Sequence, residues 1–193
     1  IDLRYNPSTN LQLRGSIEKI VNQLSFADFV AVNDETDNDT NTLEGNTELR
    51  QQWQWRYVFN GEYRLPDDLG VLNAEVFYAQ HEDVIDRLDS SRSEDSLQSV
   101  NGNIGDGIEM GMNLSASVRA THLGMPNLPI TTSLNVHDSE VTDPHLGIKR
   151  RFQNSQRGRF TLFLRHAIPD LRVNSGMQYF DRIDGGMFRT DVA

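Results

Sequence analysis

Oxygen donors crowd residues 34–48 of this chain, and their spacing invites a metal-binding reading. Asp37, Asp39, Asn41, Leu43 and Glu48 partly follow a calcium loop, in which donors fall at positions 1, 3, 5 and 12. Position 6 of such a loop needs glycine for its sharp turn, and here it is Thr42. No helical pattern flanks the segment, so a solvated acidic loop is the simpler reading. His81, Glu82 and Asp83 are metal ligands by type. On a strand, however, adjacent side chains point to opposite faces, so the three do not easily converge. His122, His137, His145 and His166 are scattered along the chain. Serine, histidine and aspartate are plentiful, but no Gly-x-Ser-x-Gly elbow is present. His137-Asp138 and Ser139-Glu140 read as ordinary neighbours at a loop edge. Neither a metal nor another cofactor is expected.

Composition narrows the classes further. The chain has 193 residues, no cysteine and a formal net charge of -10. The absence of cysteine removes disulfides, thiolate metal sites and cysteine nucleophiles. The longest basic run is Lys149-Arg150-Arg151, which is too little for a nucleic-acid partner. Hydrophobic residues make up 37%, and mean hydropathy is -0.55. No stretch approaches the roughly 18 apolar residues of a membrane helix. A membrane barrel remains compatible with these numbers, because only the outward half of each strand must be apolar.

The elements that would position any site alternate with period two. From Gly107 to Ala120, Ile108, Met110, Met112, Leu114, Ala116 and Val118 share one face. Glu109, Asn113, Ser115, Ser117 and Arg119 share the other. From Gln52 to Arg64, Trp53, Trp55, Tyr57, Phe59 and Tyr63 oppose Gln54, Arg56, Asn60, Glu62 and Arg64. Both tryptophans lie at one end of that segment, where a membrane strand would meet the headgroups. Weaker alternation marks residues 11–17, 72–78, 130–137, 159–165 and 171–179. With the opening segment 1–5, about eight antiparallel strands are expected.

The connectors are sorted by length. Residues 6–10, 65–70, 123–129 and 168–171 are short turns rich in proline, asparagine, aspartate and glycine. Between them lie long polar connectors at about 22–51, 84–106 and 138–156, with another opening near 181. In an up-and-down sheet, alternate connectors lie at opposite ends. Outer-membrane barrels combine short periplasmic turns with long extracellular loops. The predicted fold is therefore all-β: an up-and-down transmembrane β-barrel segment. Its apolar faces, carrying Trp53, Trp55, Tyr57, Phe59, Ile108, Met110, Met112, Leu114 and Val118, would face outer-membrane lipid. Its polar faces, carrying Arg56, Glu62, Arg64, Glu75, Glu109, Arg119, Arg159, Arg165 and Arg172, would line a lumen, though simple cross-strand pairing would also account for them.

Short segments add a family resemblance. Leu43-Glu44-Gly45-Asn46-Thr47-Glu48-Leu49-Arg50 resembles the "GNPxL+PE" segment of TonB-dependent outer-membrane receptors, with Thr47 in place of proline and Gln51-Gln52 in place of Pro-Glu. Asn103-Ile104-Gly105-Asp106-Gly107 and the strand after it resemble a second segment of that family. Val141-Thr142-Asp143-Pro144 through Arg150-Arg151-Phe152 is similar to one of its loops. The resemblance implies a barrel of about 22 strands, to which residues 1–193 would contribute about eight from the later half. The plug domain, the TonB-contact peptide and the closing strand would lie elsewhere. It also implies a bacterial outer-membrane location and uptake of a scarce nutrient (a siderophore, a vitamin or a glycan) bound through the extracellular loops. Three alternatives remain at this point: a small self-closed barrel with a structural or adhesive role, an outer-membrane enzyme, and a soluble β-sandwich or lipocalin-like binder.

Overall fold

In a computed structural model the described residues are 1–24, 29, 32–33, 42–44, 46–89, 98–121, 124–144, 147–152 and 157–183. Eight strands form the main sheet: β1 (Asp2–Tyr5), β2 (Leu11–Val21), β5 (Trp53–Arg64), β6 (Gly70–Glu82), β9 (Gly107–Ala120), β10 (Met125–Thr142), β12 (Gly158–Ile168) and β13 (Val173–Ile183). Each corresponds to one of the eight expected from alternation. They lie side by side in chain order, every pair antiparallel. Among the described residues β1 and β13 do not pair with each other, so the sheet is open and not a closed eight-stranded barrel.

The short turns use the conformations their residues permit. Residues 65–69 reverse the chain through a 3-10 turn at Pro66–Asp68, with Asp67 and Asp68 at φ 55 and 51. Aspartate tolerates this left-handed region better than most residues. Gly70 follows, where an added Cβ would lie 2.0 Å from the Ser117 carbonyl oxygen. Only glycine lets β6 approach β9 this closely. A second 3-10 turn, Pro169–Leu171, ends on Arg172 at φ 52.

The long connectors, expected from the sequence as polar loops, are not loops throughout. They carry strands of their own. The first holds β3 (Val32–Asn33) and β4 (Thr42–Glu44), and the second holds β7 (Ile85–Asp89) and β8 (Gln98–Asn103). Together these form a second sheet in the order β3-β4-β8-β7, in which β4 and β8 run parallel. The third connector carries β11 (Lys149–Arg150), which pairs back on β10. Segments this short lack a run of alternation long enough to read.

On β5 and β6 burial is the reverse of a soluble sheet, whereas on β12 Arg159 and Arg165 are exposed and Phe160, Leu162 and Leu164 half-buried. Along β5, Trp55, Tyr57, Phe59 and Tyr63 are exposed, while Arg56, Asn60 and Glu62 on the other face are half-buried. Phe59 retains 52% of its surface and Met110 48%. No second layer covers this apolar face among the described residues. Besides Leu49, Ala79 and Ala120, the buried apolar residues among those described are Val84, Ile104 and Val141, which cluster at the long-connector end with Leu88 and Phe152 packed against them.

Candidate functional site

The polar face of the sheet gathers most of the charged residues singled out by alternation. Arg56 lies 4.0 Å over the Phe77 ring, and Arg64 Nε donates to Glu62 Oε1 at 3.0 Å. Glu75 accepts from Asn113 Nδ2 at 3.0 Å. Arg119 lies opposite Pro129, Arg159 opposite Asn135 and Arg165 opposite Gly176. Arg172 is the exception. Its left-handed backbone places it in the turn before β13, and not on the strand face expected for it. The opposite face carries Trp53 under Lys19 Nζ at 3.8 Å, and Tyr57 against Tyr78 with ring centroids 6.3 Å apart. Trp55, Phe59, Ile108, Met110, Met112, Leu114 and Val118 lie on this same face.

Cross-strand register reveals a row that alternation within single strands cannot. Arg4 and Arg14 lie side by side on β1 and β2. Asn60, Glu75, Asn113 and Asn135 continue the row over the middle strands, and Arg159 and Arg182 finish it on β12 and β13. Asn135 Nδ2 donates to Asn113 Oδ1 at 2.8 Å, and Asn60 Nδ2 donates to Asn73 Oδ1 at 2.7 Å. Arg14 pairs with Asp2. The result is a belt of three amides and the Glu75 carboxylate, flanked by guanidiniums. It offers hydrogen bonds to neutral polar groups at its centre and to anions at its edges.

At the long-connector end the polar face closes into a packed mouth. Gln52 Oε1 accepts the Ile85 backbone N–H at 3.0 Å, which turns its amide nitrogen toward His81 Nδ1, 3.1 Å away. Nδ1 must then accept, so the imidazole carries its proton on Nε2 and donates to Glu109 Oε2 at 3.3 Å. Phe152 stands edge-on to His81, with ring centroids 5.0 Å apart. It fills the space over Gly107, where a Cβ would meet its ring at 2.7 Å. Beyond it, Arg150 is buried between two carboxylates. Its Nη1 donates to Asp86 Oδ2 at 2.7 Å and its Nε to Asp143 Oδ2 at 2.8 Å. Burial works against the guanidinium charge, but the hydrogen bonds and charges of Asp86 and Asp143 together hold its pKa above the ordinary arginine value.

Asp37, Asp39, Asn41, His122 and His145 lie outside the described residues. His81 and Glu82 fall on opposite faces, and Asp83 sits in the turn at φ 54, where Arg50 Nη2 reaches it at 2.6 Å. Among the described residues no three acidic or histidine side chains converge on one point.

Comparison with known proteins places the strand arrangement. The FrpB iron transporter from Neisseria meningitidis superposes with a TM-score of 0.60 at 13% identity, over 93% of this chain and 25% of that one. A ferric enterobactin receptor mutant (PfeA) from Pseudomonas aeruginosa, in complex with enterobactin, superposes with a TM-score of 0.56 at 11% identity, over 88% of this chain and 25% of that one. The chain has the fold of a receptor-barrel segment. It spans about a quarter of the length of these structures. No family model matches it, and no curated protein sequence does. One of these neighbours is an iron transporter and the other a ferric enterobactin receptor.

Proposed function

We propose that residues 1–193 are part of the barrel domain of a TonB-dependent outer-membrane receptor, which takes up a scarce nutrient and catalyses no reaction. One observation carries this reading. On β5, β6 and the first half of β9 the aromatic and aliphatic residues share the more exposed face, while Arg56, Asn60, Asn73, Glu75 and Glu109 share the more enclosed one. In water such an arrangement leaves a large apolar area unburied, which soluble monomers avoid. In a bilayer it is the stable one. The soluble sandwich loses support because its aromatic row would have to meet a second sheet. The open strand order removes support from a self-closed barrel of eight strands.

The long connectors stand on the extracellular side in this reading and carry the ligand contacts, and the polar belt faces the lumen and a plug domain. Among siderophores, vitamins and glycans, a ferric siderophore is favoured by the structural neighbours, one an iron transporter and the other a ferric enterobactin receptor.

The test is a gene deletion in the source bacterium, followed by uptake of radiolabelled ferric siderophore with and without a protonophore. Uptake that is lost on deletion and abolished by the protonophore supports the proposal. Unchanged uptake of siderophores, vitamin B12 and glycans alike would overturn the transport role. Recovery of the protein from the soluble fraction would overturn the membrane assignment.

A further inference from the structure

We infer that the described parts of the three long connectors (residues 46–52, 84–89, 98–106, 143–144 and 147–152) move as one rigid body, with Asn103 and Arg150 as the positioning residues that join them. The join between the first and second connectors is a backbone clamp. The Asn103 side chain accepts from the Arg50 backbone N–H at 2.8 Å and donates to the Arg50 and Asp83 carbonyl oxygens at 2.9 and 2.8 Å. One amide thus holds the end of the first connector against both ends of the second. Asn46 adds a bond to the Asn101 carbonyl at 3.0 Å, and the parallel pairing of β4 with β8 continues the contact. Both asparagines lie in the two segments whose sequence pattern stood out. Their side chains satisfy backbone groups that a loop would otherwise leave to water.

The join between the second and third connectors is a buried ion pair over an apolar core. Asp143 begins the third connector, Asp86 lies on β7 in the second, and Arg150 reaches both. Beneath them Val84 and Ile104 of the second connector pack on Val141 at the end of β10. Phe152 of the third connector closes over His81 and Gly107. Within this unit no connector can swing alone. Displacing the third would leave the Asp86 carboxylate buried without its guanidinium, and displacing the second would break the Asn103 clamp. Buried charge networks are stable in one arrangement and costly in intermediate ones. Force or ligand contact applied to one connector is therefore delivered to all three.

Hydrogen exchange read by mass spectrometry tests this on the full-length protein in outer-membrane vesicles, with wild type compared to R150M, R150K and N103A. R150M is expected to speed exchange about tenfold or more, by loss of a buried charge partner. The increase should cover residues 84–89 and 98–104 as well as 147–152, with 110–118 of β9 unchanged. R150K, which keeps the charge but not the fork geometry, should fall between R150M and wild type. N103A should speed residues 46–50 and 84–89 together. An increase confined to 147–152 in R150M, or to 46–50 in N103A, would mean independent loops and overturn the inference. An increase spreading to 110–118 would also overturn it, because the sheet and the connectors would then be a single unit. The readout requires no ligand, so it is independent of whether the transport proposal holds.

Discussion

At the scale of single residues, backbone conformation and close approach set the strongest constraints. Arg172 sits at φ 52, where a side chain costs about 1 kcal/mol or more relative to glycine. Arg172→Gly is expected to raise stability by about 0.5–1 kcal/mol, read as a shift in the urea midpoint of the folded protein in vesicles. Gly70 shows the opposite case. A methyl group there meets the Ser117 carbonyl, so Gly70→Ala should cost about 3 kcal/mol or block assembly, seen as loss of the heat-modifiable band on a gel. The Arg150 triad belongs to this scale too. R150M should loosen the connectors by about 1.4 kcal/mol or more in hydrogen exchange, because it takes the guanidinium away from two buried carboxylates. Replacing Arg150, Asp86 and Asp143 together by apolar residues of similar volume should recover most of that loss.

At the scale of elements, the two faces of each strand make different predictions for the same substitution. Met112 lies on the exposed apolar face of β9, in the row with Phe59, Val76 and Val136. If that face meets lipid near the bilayer midplane, Met112→Arg costs about 2–4 kcal/mol. Ser115, three positions along on the polar face, should accept arginine with a change within about 0.5 kcal/mol. Unfolding titrations of both variants in phospholipid vesicles check the pair. Equal tolerance at the two sites would remove the lipid-facing assignment.

At the scale of the whole molecule, the exposed apolar face is a statement about solvent. Trp53 and Trp55 lie at the long-connector end of β5, and Lys19 rests over the Trp53 ring. Amphipathic rings of this kind favour the headgroup boundary. In vesicles of brominated lipids, tryptophan emission should be quenched more by bromines placed near the headgroup than by bromines at the chain ends. The reverse order would mean that the long connectors are not at an interface. The sheet also leaves β1 and β13 without a described neighbour on their outer edges. Open edges in lipid are costly, because unpaired N–H and C=O groups find no water there.

Period-two alternation by itself determined the eight strands of the main sheet, their two faces and the sorting of turns from long connectors. This was legible because side-chain direction on a strand depends only on parity, which sequence records directly. The aromatic row of β5 and the methionine row of β9 are readable without any partner. Only the tertiary structure decided which residues meet across strands. Asn60, Glu75, Asn113 and Asn135 each sit on the polar face of a strand by parity, but they become one belt only once the register is fixed. The connectors were illegible for the same reason. Two- to six-residue strands carry too few alternations to register, and β4 pairs with β8 across more than fifty residues. Arg150 belonged to an ordinary basic run until folding buried it between Asp86 and Asp143. Alternation is local and survives in the sequence, whereas register, burial and charge pairing are set by residues far apart in the chain.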